Sequence, residues 1–424
     1  MGTSRRRAGD ALRWRAPVDV PGAPIHVMSR FAQPPTAILA ILAILSTCPL
    51  VGSARAASGG AASAGAASAG ATSARDPRAG AVIAAVRRLK QQYALQAVMF
   101  GVWRGRRELV SGAMGTALPG VRATRGMYFR IGNTTESFET TLLMQLVDRG
   151  KIRLDDKLAK WYPRLPHAGA ITVGMLASST SGYADYVKVP SFLDALHANV
   201  FAHWTADQLI RIGISQPMVF VPGTSWSFSD TNFVLLGEIL RRVGGMPVSE
   251  QIRKRTLVPL KLRTTNMTTT AQVPFPSVHG YTDERGVWED DTFWSPTWAT
   301  YTGNMTSRLS DLGAWARTVG TGSLLSNRSH ARQIAPKTVG LGPNTQAFYY
   351  GLAVAVANKW VIAGAPGLLG YTGIVAYLPR TKTSVVIFTT TGPHSPPGTH
   401  YAGAIFNAVG KLLAPASPPG FPAH

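Results

Sequence analysis

"FRIGNTTESFETTLLMQLVDRG" (residues 129–150) reads as a strand end, a tight turn at Gly132 and a firmly started helix that stops at Gly150. Many α/β enzymes hold a nucleophile at such a junction. Here the first helical turn offers Asn133 and Glu136, neither an ordinary attacking group. Local physics gives the pair another meaning. Asn is a favoured N-cap, and a Glu three residues on can bond back to the cap's N–H, an arrangement worth about 1 kcal/mol. A carboxylate there also meets the positive end of the helix dipole. Beyond this turn, Phe138, Leu142, Leu146 and Val147 mark one apolar side of the helix.

Working outward, Val82, Val86, Leu89 and Tyr93 predict a helix over 79–94. Two strand-like runs follow, "QAVMFGVW" and "ELVSGAMG", joined at Arg104-Gly105-Arg106-Arg107. Residues 151–330 are mainly helical patterns, such as "NFVLLGEILRRVGG", between loops rich in Pro, Gly and Thr. Strand patterns return late in "YYGLAVAVA", "KWVIAG", "GIVAYLP" and "TSVVIFTTT". A closing helix, "HYAGAIFNAVGKLLA", aligns Tyr401, Ile405, Val409 and Leu412. The order predicts one mixed α/β (α+β) domain over 79–414. Its antiparallel sheet is built from both chain ends and flanked by helices, with a helical insertion at about 131–330. Residues 415–424 are expected to be a disordered tail.

The bulk numbers agree with a packed domain. Of 424 residues, 45% are hydrophobic and 15% charged, which excludes a disordered chain. The single cysteine, Cys48, excludes an internal disulfide framework and a thiol metal cluster. Residues 1–56 read as a targeting segment. A basic stretch precedes the apolar run of "TAILAILAILSTCPLVGSARA", and Ala54-Arg55-Ala56 is an Ala-x-Ala cleavage signal. A start at Met28 would give the segment a more ordinary length. Lipid attachment at Cys48 and an uncleaved anchor are the alternatives. A small-residue linker spans 57–78. Removing residues 1–56, with seven Arg and two Asp, leaves +17 of the formal +22. That charge suits an anionic envelope surface. The Arg are scattered, so no specific nucleic-acid module stands out.

Five ordered segments carry a family resemblance: "YFRIG…LLMQLVDRGKIRLDDKLAKWYP", "ITVGMLASSTSGYADY", "FVPGTSWSFSDTNFVLLGEIL", "SPTWATYTGNMTSRLSDLGAWA" and "LLGYTGIVAYLP". From about 80 to 413 the chain resembles the serine β-lactamase and D-alanyl-D-alanine carboxypeptidase-like hydrolases, including related esterases. The resemblance implies a β-lactamase/transpeptidase-like fold and acyl-enzyme chemistry without metal or cofactor. In that chemistry a Ser attacks a carbonyl and a Lys one turn later helps take its proton. Here Ser-x-x-Lys falls on Asn133 and Glu136. Tyr-x-Asn becomes Phe228-Ser229-Asp230, so the phenol is missing and Phe228 is read as pocket wall or core. Lys/His-x-Gly falls on Gly364-Ala365-Pro366, without a cation. Tyr371-Thr372-Gly373 is a competing frame, and Lys382-Thr383-Ser384 is read as a turn.

Other residues offer replacements. Thr134 and Thr135 share the first turn with Glu136 as an adjacent base, and Ser137 lies one turn beyond Asn133, about 6 Å along the axis. Ser178, Ser179 and Ser181 belong to a turn, and His203 and His279 lack metal spacing. Trp226 and Trp298 are expected to line the cleft, although Trp298 equally fits a buried aromatic closing the insertion. Three functions follow. One is an exported, catalytically degraded homologue that binds a cell-wall peptide or small acyl ligand, or a protein partner. Another is a hydrolase with a non-standard nucleophile. The third is a basic protein that binds an anionic surface without using the cleft. Oligomeric state is left open.

Overall fold

The computed structural model describes residues 76–423; the targeting segment, Cys48 and nearly all of the linker lie outside the described residues. The first described helix, α1 (Arg78–Gln92), buries Val82, Val86 and Leu89 as its spacing predicts. It leads into strand β1 (Ala97–Arg104), buried at all but its last residue. Gly105, at φ +60°, turns the chain into β2 (Arg107–Leu118), which pairs antiparallel with β1 and then with β3 (Val121–Arg122).

The remaining main strands come after residue 347. They are β4 (Phe348–Tyr350), β5 (Ala355–Ala357), β6 (Trp360–Gly364), β7 (Tyr371–Leu378) and β8 (Thr383–Thr390). The sheet order is β3-β2-β1-β8-β7-β6-β5-β4, antiparallel throughout, with a short strand at Gly367–Leu368 beside β7. The earliest strand therefore meets the latest: Ala97 opposes Thr390, Phe100 opposes Ile387 and Arg104 opposes Thr383. Both ends of the chain build the sheet, as the two clusters of strand patterns predict.

Each sheet face has its own core. On one face α1 and the closing helix, Tyr401–Leu413, pack over Val98, Phe100, Val102 and Ile387. That helix buries Tyr401, Ile405, Val409 and Leu413, while Leu412 points outward at 40% exposure. On the other face lie Trp103, Val386 and Phe388 with the insertion's helices. Thr134–Asp148 and Leu309–Thr321 pack against the sheet. Gly313 lets the second approach closely, because a Cβ there would lie 2.8 Å from the Trp103 ring.

Two sequence expectations change. The helix Thr134–Asp148 is not one-sided: every side chain from Thr134 to Leu146 is buried. It runs between the sheet and the rest of the insertion, so its polar residues are enclosed as fully as its apolar ones. The expected tail is not loose either. Trp360 Nε1 donates to the Ser417 carbonyl at 2.9 Å, and Asn407 exchanges two hydrogen bonds with the Phe421 backbone, at 2.8 and 2.9 Å. Among the described residues no helix is long and apolar enough to cross a membrane.

Candidate functional site

The helix Thr134–Asp148 begins where predicted, with Asn133 at its N-cap position, but the predicted capping box is absent. Asn133 has φ −66° and ψ 1° and makes no side-chain cap bond. A side-chain cap is made from the extended region, which Asn133 does not occupy. Its Oδ1 is buried without a hydrogen-bond partner. Glu136 does not reach back; its Oε2 accepts instead from the Tyr350 hydroxyl at 3.3 Å. A true capping box forms elsewhere, between Thr205 and Gln208.

The replacement hydroxyls are enclosed. Thr134, Thr135 and Ser137 are each 0% exposed, whereas Asn133 alone in this turn retains some exposure. Thr135 Oγ1 donates to the Gly132 carbonyl at 2.7 Å. Ser137 Oγ donates to the Thr134 carbonyl at 2.7 Å and accepts from Trp315 Nε1 at 2.9 Å. Thr134 Oγ1 has no partner and lies against β6. A Cβ placed on Gly364 would approach it to 2.2 Å. The structure thus brings the first and third motif positions together, at the helix start and the end of β6.

The second motif position joins them through carboxyl groups. Asp230 starts the helix Asp230–Gly244, and its N–H donates to Asp185 Oδ1 at 3.1 Å. Lys188 Nζ lies 3.6 Å from Asp185 Oδ2. Burial, then the negative field of Asp230, raises the Glu136 carboxyl well above its ordinary range. Burial, then Asp185, does the same to Asp230, which keeps partial exposure at the bottom of a crowded site. Glu139, one turn along, is fully buried with both oxygens unpaired, and burial raises it too. Among the described residues no Lys or Arg pairs with Glu136 or Asp230. For all three, burial favours the protonated form, which is uncharged and can donate one hydrogen bond.

Aromatic rings flank this floor. Tyr350 lies 5.4 Å from Trp226 and 6.5 Å from Phe228, centroid to centroid. Phe228 also touches Phe233 at 6.0 Å and remains partly exposed, so it is wall and core together. Trp298 is not part of that wall. It is 6% exposed, its carbonyl accepts from the Tyr186 hydroxyl at 2.7 Å, and it borders a separate cavity of about 20 Å³ beside Arg130. It is the buried aromatic that closes the insertion.

Sequence reasoning missed Tyr350, Asp185 and His400, because long-range folding, not spacing, delivers them. Tyr350 is 214 residues from Glu136. His400 stands beside the third motif: its Nε2 donates to the Ala365 carbonyl at 3.2 Å while its Nδ1 accepts from Gly403 N–H at 3.0 Å. With both ring nitrogens engaged, it is a structural pin. Pro366, in the same segment, is buried and its carbonyl accepts from Gly373 N–H at 2.8 Å. Ser178 Oγ donates to the local Gly174 carbonyl at 2.8 Å, as turn hydroxyls do, whereas Ser181 Oγ donates to the distant Asn232 side chain and Ser179 Oγ is buried without a partner. His279 pairs with Asp290, and His203 is exposed. Lys382 lies in the turn before β8, as read. Among the described residues no acid, His and Cys group forms a metal cluster.

The geometry is that of a serine-hydrolase fold whose three motif positions converge. The Beta-lactamase family profile matches residues 82–409, and the chain belongs to that family. A D-stereospecific amidohydrolase from Streptomyces sp. superposes with a TM-score of 0.67 at 26% identity, over 73% of this chain and 94% of its own. A D-amino acid amidase from Ochrobactrum anthropi does so at 0.67 and 22% identity, over 80% and 99%. Penicillin-binding protein 4* of Bacillus subtilis is 23% identical over 67% of this chain and 64% of its own length. Penicillin-binding protein 4 of Amycolatopsis lactamdurans is 32% identical over 37% and 40%. The matched stretches thus span less than two thirds of those two relatives.

Proposed function

We propose that this protein is an exported member of the family that binds a cell-envelope ligand, a peptide or small acyl compound, in its cleft without forming an acyl-enzyme. The observation that carries this reading is the state of the first helical turn. Asn133 is its only partly exposed side chain, and an amide is a very poor nucleophile. Three enclosed hydroxyls and a buried Glu136 surround it. Acyl transfer needs a nucleophile at the helix start, a base or cation beside it and donors for the oxyanion. Asn133 cannot serve as the nucleophile, and Glu136 supplies no cation beside it. Glu136 stands where the resemblance implies a lysine and the third motif holds no cation, which disfavours a ligand anchored by its carboxylate. Export rests on the apolar run and the Ala-x-Ala signal of residues 36–56.

Thr134 supports a second reading, a threonine hydrolase, because among Thr134, Thr135 and Ser137 its hydroxyl is the one without a partner. Treating the purified protein with a fluorophosphonate and a penicillin, then weighing it intact, separates the two. No adduct is expected on the parent. The Asn133→Ser/Glu136→Lys double variant should label, as a sound pocket refurnished with reactive groups would. A stoichiometric adduct on one hydroxyl of the parent would overturn the binding reading and name the nucleophile.

A further inference from the structure

Behind the aromatic wall lies a second cavity, of about 370 Å³. That is within the size range of small-molecule sites, roughly 300–1,000 Å³. Its lining includes Tyr350 but none of the three motif positions. Thr338, which lines the cavity, clasps the Tyr350 backbone. Its hydroxyl donates to the Tyr350 carbonyl at 2.6 Å and accepts from the Tyr350 N–H at 3.1 Å.

Chemistry is distributed unevenly around this space. Met175, Leu341 and Leu352 supply apolar walls. Arg332 and Lys337 stand exposed at the rim, and among the described residues neither forms a salt bridge or a side-chain hydrogen bond. The lining has one carboxylate, Asp155, and Arg153 already holds it with two bonds of 2.9 Å. Of the lining hydroxyls, Thr172 accepts from the Met175 N–H at 3.2 Å and keeps its proton free, while Thr338 and Ser178 donate to carbonyls. Ser178 gives its proton to the Gly174 carbonyl at 2.8 Å, so in its 3.0 Å contact with Thr180 it must accept. The charged donors open to a ligand are therefore the two cations. A guanidinium and an ammonium over an apolar hole fit a carboxylate on a short hydrocarbon body.

We propose that this cavity is a binding site for a small amphipathic carboxylate, its head between Arg332 and Lys337 and its apolar body against Met175, Leu341 and Leu352. This goes beyond the cleft and does not depend on what the cleft binds. The test compares three probes of one shape by calorimetry on the purified protein at low salt: octanoate, octanol and octylamine. Octanoate should bind saturably at millimolar concentration or below and about tenfold tighter than octanol, with octylamine weakest. Arg332→Gln/Lys337→Gln, two exposed changes that leave the core untouched, should bring octanoate down to the level of octanol. Leu341→Trp, which fills the hole, should remove both, while Asp230→Asn in the cleft should change neither. The proposal is overturned if octanoate fails to saturate. It is overturned equally if octanoate binds no better than octanol or is indifferent to the loss of both cations. Sensitivity to Asp230→Asn rather than Leu341→Trp would move the binding to the cleft and sink it as well.

Discussion

Asp291 sits beneath the loop after β6, where its Oδ2 accepts from the Gly370 N–H at 2.6 Å. Burial raises its carboxyl from an ordinary 3.8 to about 7. The folded chain thus holds this proton more firmly than the unfolded chain. Its contribution to stability is present below the ordinary value and is lost as pH climbs toward 7. Asp291→Asn keeps an acceptor for Gly370, so it should raise Tm relative to the parent more at pH 8 than at pH 5. Equal shifts would show that Asp291 is not titrating in a dry site. Ser137→Ala tests a different burial. It strips the acceptor from Trp315 Nε1 and should cost about 1–3 kcal/mol in urea unfolding. At this scale the sequence was only half readable. The identity of Asn133 and Glu136 was plain, but a backbone angle decided against the cap, and a phenol 214 residues away claimed the carboxyl.

Elements were easier to foresee than their surroundings. The hairpin, the late strands and the closing helix follow from periods of two and 3.6, which local side-chain order carries directly. The burial of Thr134–Leu146 on all sides was hidden because its Thr, Ser and Glu residues look like a solvent face. Capping offers a direct comparison. Thr205→Ala removes the hydroxyl half of a formed box, leaving the backbone N–H bond to Gln208, and should cost about 1 kcal/mol, whereas Asn133→Ala removes no cap bond and should cost less. Paired urea midpoints would check the order; the reverse order would mean that Asn133 does cap its helix in solution.

For the whole molecule, the buried acids act in one direction. Burial is the first cause of the raised Glu136, Glu139 and Asp230, with Asp185 adding to Asp230. Each favours the fold while protonated and less so once the solution demands its proton. Tm should therefore fall between pH 5 and pH 8, and a flat or rising profile would mean that water reaches these groups. The sheet has a consequence of another kind, in time. Ala97 N–H donates to a hydroxyl, that of Thr390, 293 positions later. At a synthesis rate of ~5–20 residues per second, β1 waits roughly 15–60 s for the strand that completes its open side. Throughout that wait the growing chain has a bare central edge and no finished core on either face. A chaperone or a translocation pore has that long to take hold of it.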